Sequence, residues 1–330
     1  MKYGYFKPVA FLTVPLILLA GATGAWAQKW TPQKNVEIVV YSAPGGSNDK
    51  TARAIEQTIG EKKLINTTMT VVNKTGGGGN IQLAYMTQHS GDPHFLMVTT
   101  PTLLTNHITG SSTQSFADFT PLASMVNDYV VYAVNADSPI KTGKDLIDRL
   151  KKDPKSVSIG FATALGTHNH IAAGLLMKAI GGDVKALKVV AFKGSSEAVT
   201  TLLGGHIDMV TTAAGNVSAH VASGKIRVVG VASNQRLPGV FAQVPTWKEQ
   251  GVNFISGNWR AVMGPKGMTQ DQITAWEGIL RSVAESKEWK EDLATNFWSS
   301  DFASGEQFRK DLEQDYIATK AVLLELGMTK

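Results

Sequence analysis

Val36-Glu37-Ile38-Val39-Val40-Tyr41-Ser42-Ala43-Pro44-Gly45-Gly46-Ser47-Asn48-Asp49-Lys50-Thr51-Ala52-Arg53 decides the fold. Its first six residues are a short apolar run bounded by turn residues, the pattern of a buried strand from Val36 to Tyr41. From Asp49 to Ile59 the period changes, and Ala52, Ile55 and Ile59 fall on one helical face. Two adjacent glycines join the segments and let the backbone come close to a ligand without Cβ interference.

The same strand–loop–helix unit recurs along the chain. Strands are predicted at Met69–Asn73, Phe95–Thr99, Tyr129–Val134, Val157–Phe161, Lys188–Ala191, Met209–Thr212 and Ile226–Ala232. Helices are predicted at Asn80–Gln88, from Thr142 with Asp145 as capping-box partner, from His168 and from Ser195. This alternation implies an α/β protein with mostly parallel sheets covered by helices. From Thr269 the pattern is helical almost to the end, with Ser304 and Gln307 spaced as a capping box and Phe308, Leu312 and Tyr316 on one face. No repeat or low-complexity linker separates domains, so two lobes joined by strands that cross between them are expected.

The ends and composition fix the compartment. Lys2 and Lys7 precede an apolar run from Pro8 to Ala20, and Ala25-Trp26-Ala27 supplies small residues at peptidase spacing. That is a secretory signal peptide over residues 1–27, with the mature chain beginning at Gln28, and it predicts a periplasmic protein. Cleavage removes two lysines and no acid, so the formal charge of +5 becomes +3. No run of five Lys or Arg is present, which excludes a nucleic-acid surface, while mild positive charge suits capture of anions. The chain has no cysteine and therefore neither a disulfide framework nor a lipid-bearing N-terminal Cys. No later segment is apolar and long enough to span a bilayer, so the mature chain is expected in solution as a monomer.

In open parallel sheets ligands bind beyond the carboxyl ends of the strands, at helix N-termini. The first such loop is Ala43, Pro44, Gly45, Gly46, Ser47 and Asn48, with Ser47 or Asn48 as cap and Asp49 a first-turn residue; an ordinary strand-to-helix turn has the same composition. The second is Lys74-Thr75-Gly76-Gly77-Gly78-Gly79-Asn80. It lacks the Lys-Ser/Thr of a phosphate loop and the third glycine of a dinucleotide fingerprint, and a flexible turn explains it as well. The third is Ala162 to His170, with Leu165, Gly166, Thr167 as N-cap, and His168. His168 and His170 stand two apart and so point to different helix faces, and no third ligand lies nearby, so no metal is expected. Thr100, at the end of a Thr-rich strand, offers a hydroxyl. No nucleophile elbow or Cys nucleophile is present, so no catalytic residue and no cofactor is expected.

These segments resemble the Bug family, the extracytoplasmic receptors of tripartite tricarboxylate transporters. The likeness rests on Pro44-Gly45-Gly46-x-x-Asp49-x-x-Ala52-Arg53, Lys74–Ala84, Phe161–His170, Phe192-Lys193-Gly194, Leu202–Asp208, Arg227–Arg236, Val244-Pro245-Thr246 with Glu249 and Gly251, and Trp259 followed by Gly264-Pro265. It runs over nearly the whole mature chain, in the family's order. It departs at Ser42-Ala43, where bulky residues or proline are usual, and at Ala164-Leu165, where glycine is frequent. The resemblance implies a two-lobed, hinge-closing periplasmic-binding-protein fold that hands a small carboxylate to membrane permease subunits. It implies lobe 1 over 28–129 plus 227–330 and lobe 2 over 130–226. It also implies that the Ala43–Asn48 and Leu165–His168 loops hold one carboxylate, with Gly77, Gly78 and Thr100 completing the floor. A receptor for other oxyanions and a periplasmic hydrolase on the same fold are the alternatives.

Overall fold

A computed structural model describes residues 1–5, 30–42, 44–162, 165–192 and 194–330. The expected signal peptide lies mostly outside the described residues, as does Ala43. The chain first runs β1 (Val36–Val40), α1 (Ser47–Glu61), β2 (Met69–Asn73), α2 (Asn80–Gln88), β3 (Phe95–Thr99), α3 (Thr102–Ile108) and β4 (Phe119–Asn127). It then forms β5 (Val130–Asn135), α4 (Gly143–Lys152), β6 (Ser158–Ala162), α5 (His168–Ala179), β7 (Lys188–Phe192), α6 (Ser195–Leu203), β8 (Met209–Ala213), α7 (Ser218–Ala222) and β9 (Ile226–Val231). It returns through β10 (Arg260–Pro265), α8 (Gln270–Glu285), α9 (Lys287–Asn296), β11 (Ser299–Ser304) and α10 (Gly305–Glu325).

Two sheets define two lobes, in the orders β11-β4-β10-β3-β1-β2 and β7-β6-β8-β5-β9. Each sheet has a parallel part, β2-β1-β3 or β7-β6-β8, and an antiparallel part that contains a strand leading to the other lobe. The apolar pattern explains the layers. On one face of the first sheet Ile38, Val40, Leu96 and Val262 pack with Ile55 and Ile59 of α1 and with Trp276 and Leu280 of α8. Val39, Met97, Ala261 and Met263 point to the other face, against α2 and the Phe308–Leu312 stripe of α10.

Three strands escaped the sequence reading. Pro121 sits inside β4, opposite a register shift at Val262/Met263, where its missing N–H is tolerated. β10 and β11 follow no turn signal of the hairpin kind. The expected helical tail is interrupted because Phe297 takes a left-handed conformation, φ 56°, which ends α9 and sends Ser299–Ser304 onto β4. The expected Ser304–Gln307 capping box does not form. The Ser304 hydroxyl accepts from Arg281 Nη2 at 3.1 Å, and Gln307 donates to Asp311 instead. The Thr142–Asp145 box is present.

The return crossing lies later than expected. β9 pairs with β5 in the second sheet, and residues up to Phe254 stay with that lobe's core. Trp247 anchors them: its ring stands edge-on to Tyr132 at 5.0 Å and lies so close to Gly230 that a Cβ there would sit 2.5 Å from it. Residues 227–254 therefore belong to the second lobe, not the first. The chain crosses at residues 127–129 and back at 256–259, where Tyr129 bridges Gly257, Val130 N–H donates to Ser256 O at 3.1 Å and Asn258 N–H to Asp128 O at 3.0 Å. On one side of the hinge α10 also touches both lobes, since Leu104 and Ile108 of α3, Ile171 of α5, and Val322 and Leu323 form one apolar cluster.

Candidate functional site

β1 and β6 occupy corresponding positions in the two lobes, and their following loops have matching geometry. Gly45 has φ +80° and Gly166 has φ +81°, a left-handed backbone that glycine adopts without cost. Each glycine N–H donates to the side chain four residues on, Gly45 to Asp49 Oδ2 at 2.8 Å and Gly166 to His170 Nδ1 at 2.9 Å. The next residue is the helix N-cap in both, Gly46 at φ −68°, ψ 162° and Thr167 at φ −72°, ψ 161°. Neither α1 nor α5 has a side-chain cap, and the same holds for α2 and α6 after β2 and β7. Helices α4, α8 and α9, by contrast, are capped by Thr142, Thr269 and Ser286. The N–H groups of Gly46, Ser47 and Asn48 meet no acceptor among the described residues. Such a first turn attracts an anion through unpaired donors and the helix dipole.

Asp49 is the organiser of the first loop. Besides Gly45 and Arg53 Nε (2.9 Å), it accepts from Asn73 Nδ2 at 2.9 Å, and its N–H reaches Ser42 Oγ at 3.2 Å. Burial pushes its pKa up, but the bonds from Arg53, Gly45 and Asn73 outweigh this and hold it below the usual carboxylate value. Asp49→Ala is expected to cost about 1 kcal/mol, because it removes the acceptor that ties Gly45, Arg53 and Asn73 together. Urea unfolding checks this, and an unchanged midpoint would remove Asp49 from the role.

Several sequence-predicted residues have other occupations. Gly46, not Ser47 or Asn48, is the α1 N-cap, and Gly45 N–H is taken by Asp49. The Thr100 hydroxyl is buried 2.6 Å from Tyr41 Oη and also accepts from Thr102 N–H, so it braces Tyr41. Gly77 and Gly78 have φ of 59° and 62° within a run of four left-handed glycines, and Asn106 Nδ2 fixes Gly78 O at 2.9 Å. Thr167 Oγ reaches Ala162 O at 3.4 Å instead of capping. Pro44 is exposed, and so is Leu165, at 54%.

His168 and His170 diverge as their spacing requires. His170 is buried against Phe161, rings 4.9 Å apart. His168 borders a cavity of about 350 Å³ between the lobes. Desolvation pushes both down to about 4, with the Arg260 charge adding to the effect on His168, so both rings are neutral at pH 7. Pro101, Ser124 and Trp259 line the cavity from the first lobe, and Ile171 and Leu175 from the second. Its α10 side carries Asp311 and Asp315, with Asp301 of β11 beside them. Burial pushes Asp315 up despite a 2.7 Å bond from Trp259 Nε1.

Arg260 was missed altogether. It is 1% exposed at the start of β10, and its charge adds to the desolvation that holds down His168 in the first turn of α5. A lone charge in the otherwise apolar run Trp259-Arg260-Ala261-Val262-Met263 was the available signal, since Arg is almost never fully buried without a purpose.

Residues 51–328 match the family described as tripartite tricarboxylate transporter family receptor, TctC. BugT of Bordetella pertussis is 26% identical over 316 residues, covering 94% of this chain and 95% of that protein. A ligand-free crystal structure of a TctC solute-binding protein from Polaromonas is 25% identical and superposes with a TM-score of 0.80 over 89% of this chain and 99% of that one. An R. palustris protein solved with adipate shares the fold at 22% identity, with a TM-score of 0.71 over 90% and 99% of the chains. Among the described residues no helix is long and apolar enough to cross a membrane, and no group of three His, Cys, Asp or Glu could hold a metal ion.

Proposed function

The chain belongs to the family of tripartite tricarboxylate transporter receptors, and from that premise we propose that it captures a small organic carboxylate between its lobes and presents it to membrane permease subunits. Receptors of this family are periplasmic solute-binding proteins. Export of this chain through residues 1–27 belongs to the proposal. The observation that carries it is the matched pair of uncapped helices, α1 and α5, one per lobe, each behind a left-handed glycine held by a side chain. Gly46, Ser47 and Asn48 of the first lobe and Thr167 and His168 of the second supply the donors. Gly78 borders a small separate cleft with Tyr41 and Thr102, and Thr100 acts through Tyr41. An anion bonded to both helices stabilises the closed arrangement by its difference in affinity for the two states. The adipate held by the R. palustris relative supports the chemical class.

A thermal-shift screen of the secreted protein against mono-, di- and tricarboxylates tests the reading. A solute at a hundred times its Kd stabilises by about 2.7 kcal/mol, which raises Tm by roughly 4 °C at this chain length. Shifts with phosphonates or sulfonates and none with carboxylates would assign the receptor to another anion class.

A further inference from the structure

We propose that Arg260 receives a second anionic group of the solute, so that this receptor selects dicarboxylates over monocarboxylates of equal chain length; the inference rests on the carboxylate reading above. Among the described residues the buried guanidinium has a single hydrogen bond, from Nη2 to Asp128 Oδ2 at a long 3.3 Å. Nε and Nη1 are buried and meet no acceptor among the described residues. Its plane lies over the Trp298 ring, 4.5 Å from the centroid, which fixes the orientation and leaves the edge donors for recognition. A buried guanidinium so poorly matched is costly by itself, and a carboxylate is its natural complement.

Position supports the assignment. Ala261 pairs with Thr99, so Arg260 stands one residue beyond the carboxyl end of β3, level with Thr100, at the edge where open sheets bind ligands. It adjoins the hinge through its ion pair with Asp128. Arg260 does not itself line the interlobe cavity, but its chain neighbour Trp259 does, as does Tyr129, which follows its partner Asp128; the cavity's acids are Asp301, Asp311 and Asp315, and among the described residues neither Lys nor Arg lines it. A solute anchored by one carboxylate at the helix N-termini has its far end repelled by those acids and attracted by Arg260. Asp128 Oδ1 is also buried without a partner, so Asp128 opposes the incoming anion.

Calorimetry on wild type, Arg260→Gln and Asp128→Asn with succinate against butyrate and adipate against hexanoate is the test. Wild type should prefer the diacid of a pair by about 10- to 100-fold, the worth of a hydrogen bond between charged groups. Arg260→Gln should erase that preference while monoacid binding persists, a split that a merely structural role would not produce. Asp128→Asn should tighten the diacid several-fold. A wild type that binds both acids of a pair alike, or an Arg260→Gln protein that keeps the preference, overturns the assignment while the carboxylate reading stands. If Arg260→Gln does not fold, Asp128→Asn decides, and unchanged or weaker diacid binding overturns it. If no acid of either kind binds wild type, the carboxylate reading falls, and the role of Arg260 falls with it.

Discussion

Gly46→Val abolishes solute binding, by at least about 100-fold or 2.7 kcal/mol, in a protein that remains folded. The structure separates the two effects that a glycine substitution usually mixes. Gly46 has φ −68° and ψ 162°, an extended backbone that valine adopts readily, so no conformational strain accompanies the change. It caps α1 without a side chain, and valine in place of glycine at an N-cap costs only about 1 kcal/mol. The new branched Cβ instead stands where an anion must approach the N–H groups of Gly46, Ser47 and Asn48. The neighbouring Gly45 is the contrasting control. Its φ of +80° makes Gly45→Val strained wherever the solute sits, and stability should fall along with binding. Calorimetry with the best solute of the screen, beside urea unfolding of both variants, decides the matter. If folded Gly46→Val binds like wild type, the first loop is not the anion site.

Lowering pH from 6.5 to 4 destabilises the unliganded protein by a few kcal/mol, through His168 and His170. Their folded pKa of about 4 lies below the unfolded value of about 6.5. The unfolded chain therefore binds more protons in that window, and stability rises with pH across it. Their contribution is complete above pH 6.5, falls as pH drops, and levels off below 4. With two such groups the slope near pH 5 approaches about 2.7 kcal/mol per pH unit, less for His168 in proportion to its contact with the cavity. Urea unfolding at pH 7, 6 and 5 measures the slope above the range where carboxylates titrate. His168→Gln and His170→Gln should each remove one proton from it, and in His170→Gln the new amide oxygen can still accept from Gly166 N–H. A flat profile between pH 7 and 5 in wild type would show that neither imidazole is held neutral by burial.

The local structure of the parallel halves was legible in the sequence because its causes are local. Met69–Asn73, Phe95–Thr99 and Asn80–Gln88 are bounded by adjacent turn residues and carry their own period, and the structure places them with those bounds. Loop glycines mark the turns by themselves, since a left-handed backbone after a strand has few other occupants. The antiparallel halves were hidden. β4 carries a proline, β11 is polar, and both exist because a distant strand supplies partners. The return crossing was misplaced for a related reason: Trp247 and Phe254 join the second lobe through packing against Tyr132, and Trp247 also through its N–H to Val231 O, contacts that residue order does not reveal.

By itself the sequence determined the α/β class, the two glycine-led helix starts after β1 and β6, and the resemblance to a receptor family. Each is written in residues close together along the chain. The tertiary structure alone decided which donors of those loops remain open, because Asp49 and His170 claim Gly45 and Gly166 only once the turns close. It alone brought Arg260, Asp128 and Trp298 together at the hinge, from segments 132 and 38 residues apart in sequence. Burial and charge pairing are properties of the assembled chain, and a charge acquires its meaning from neighbours that the sequence order does not name.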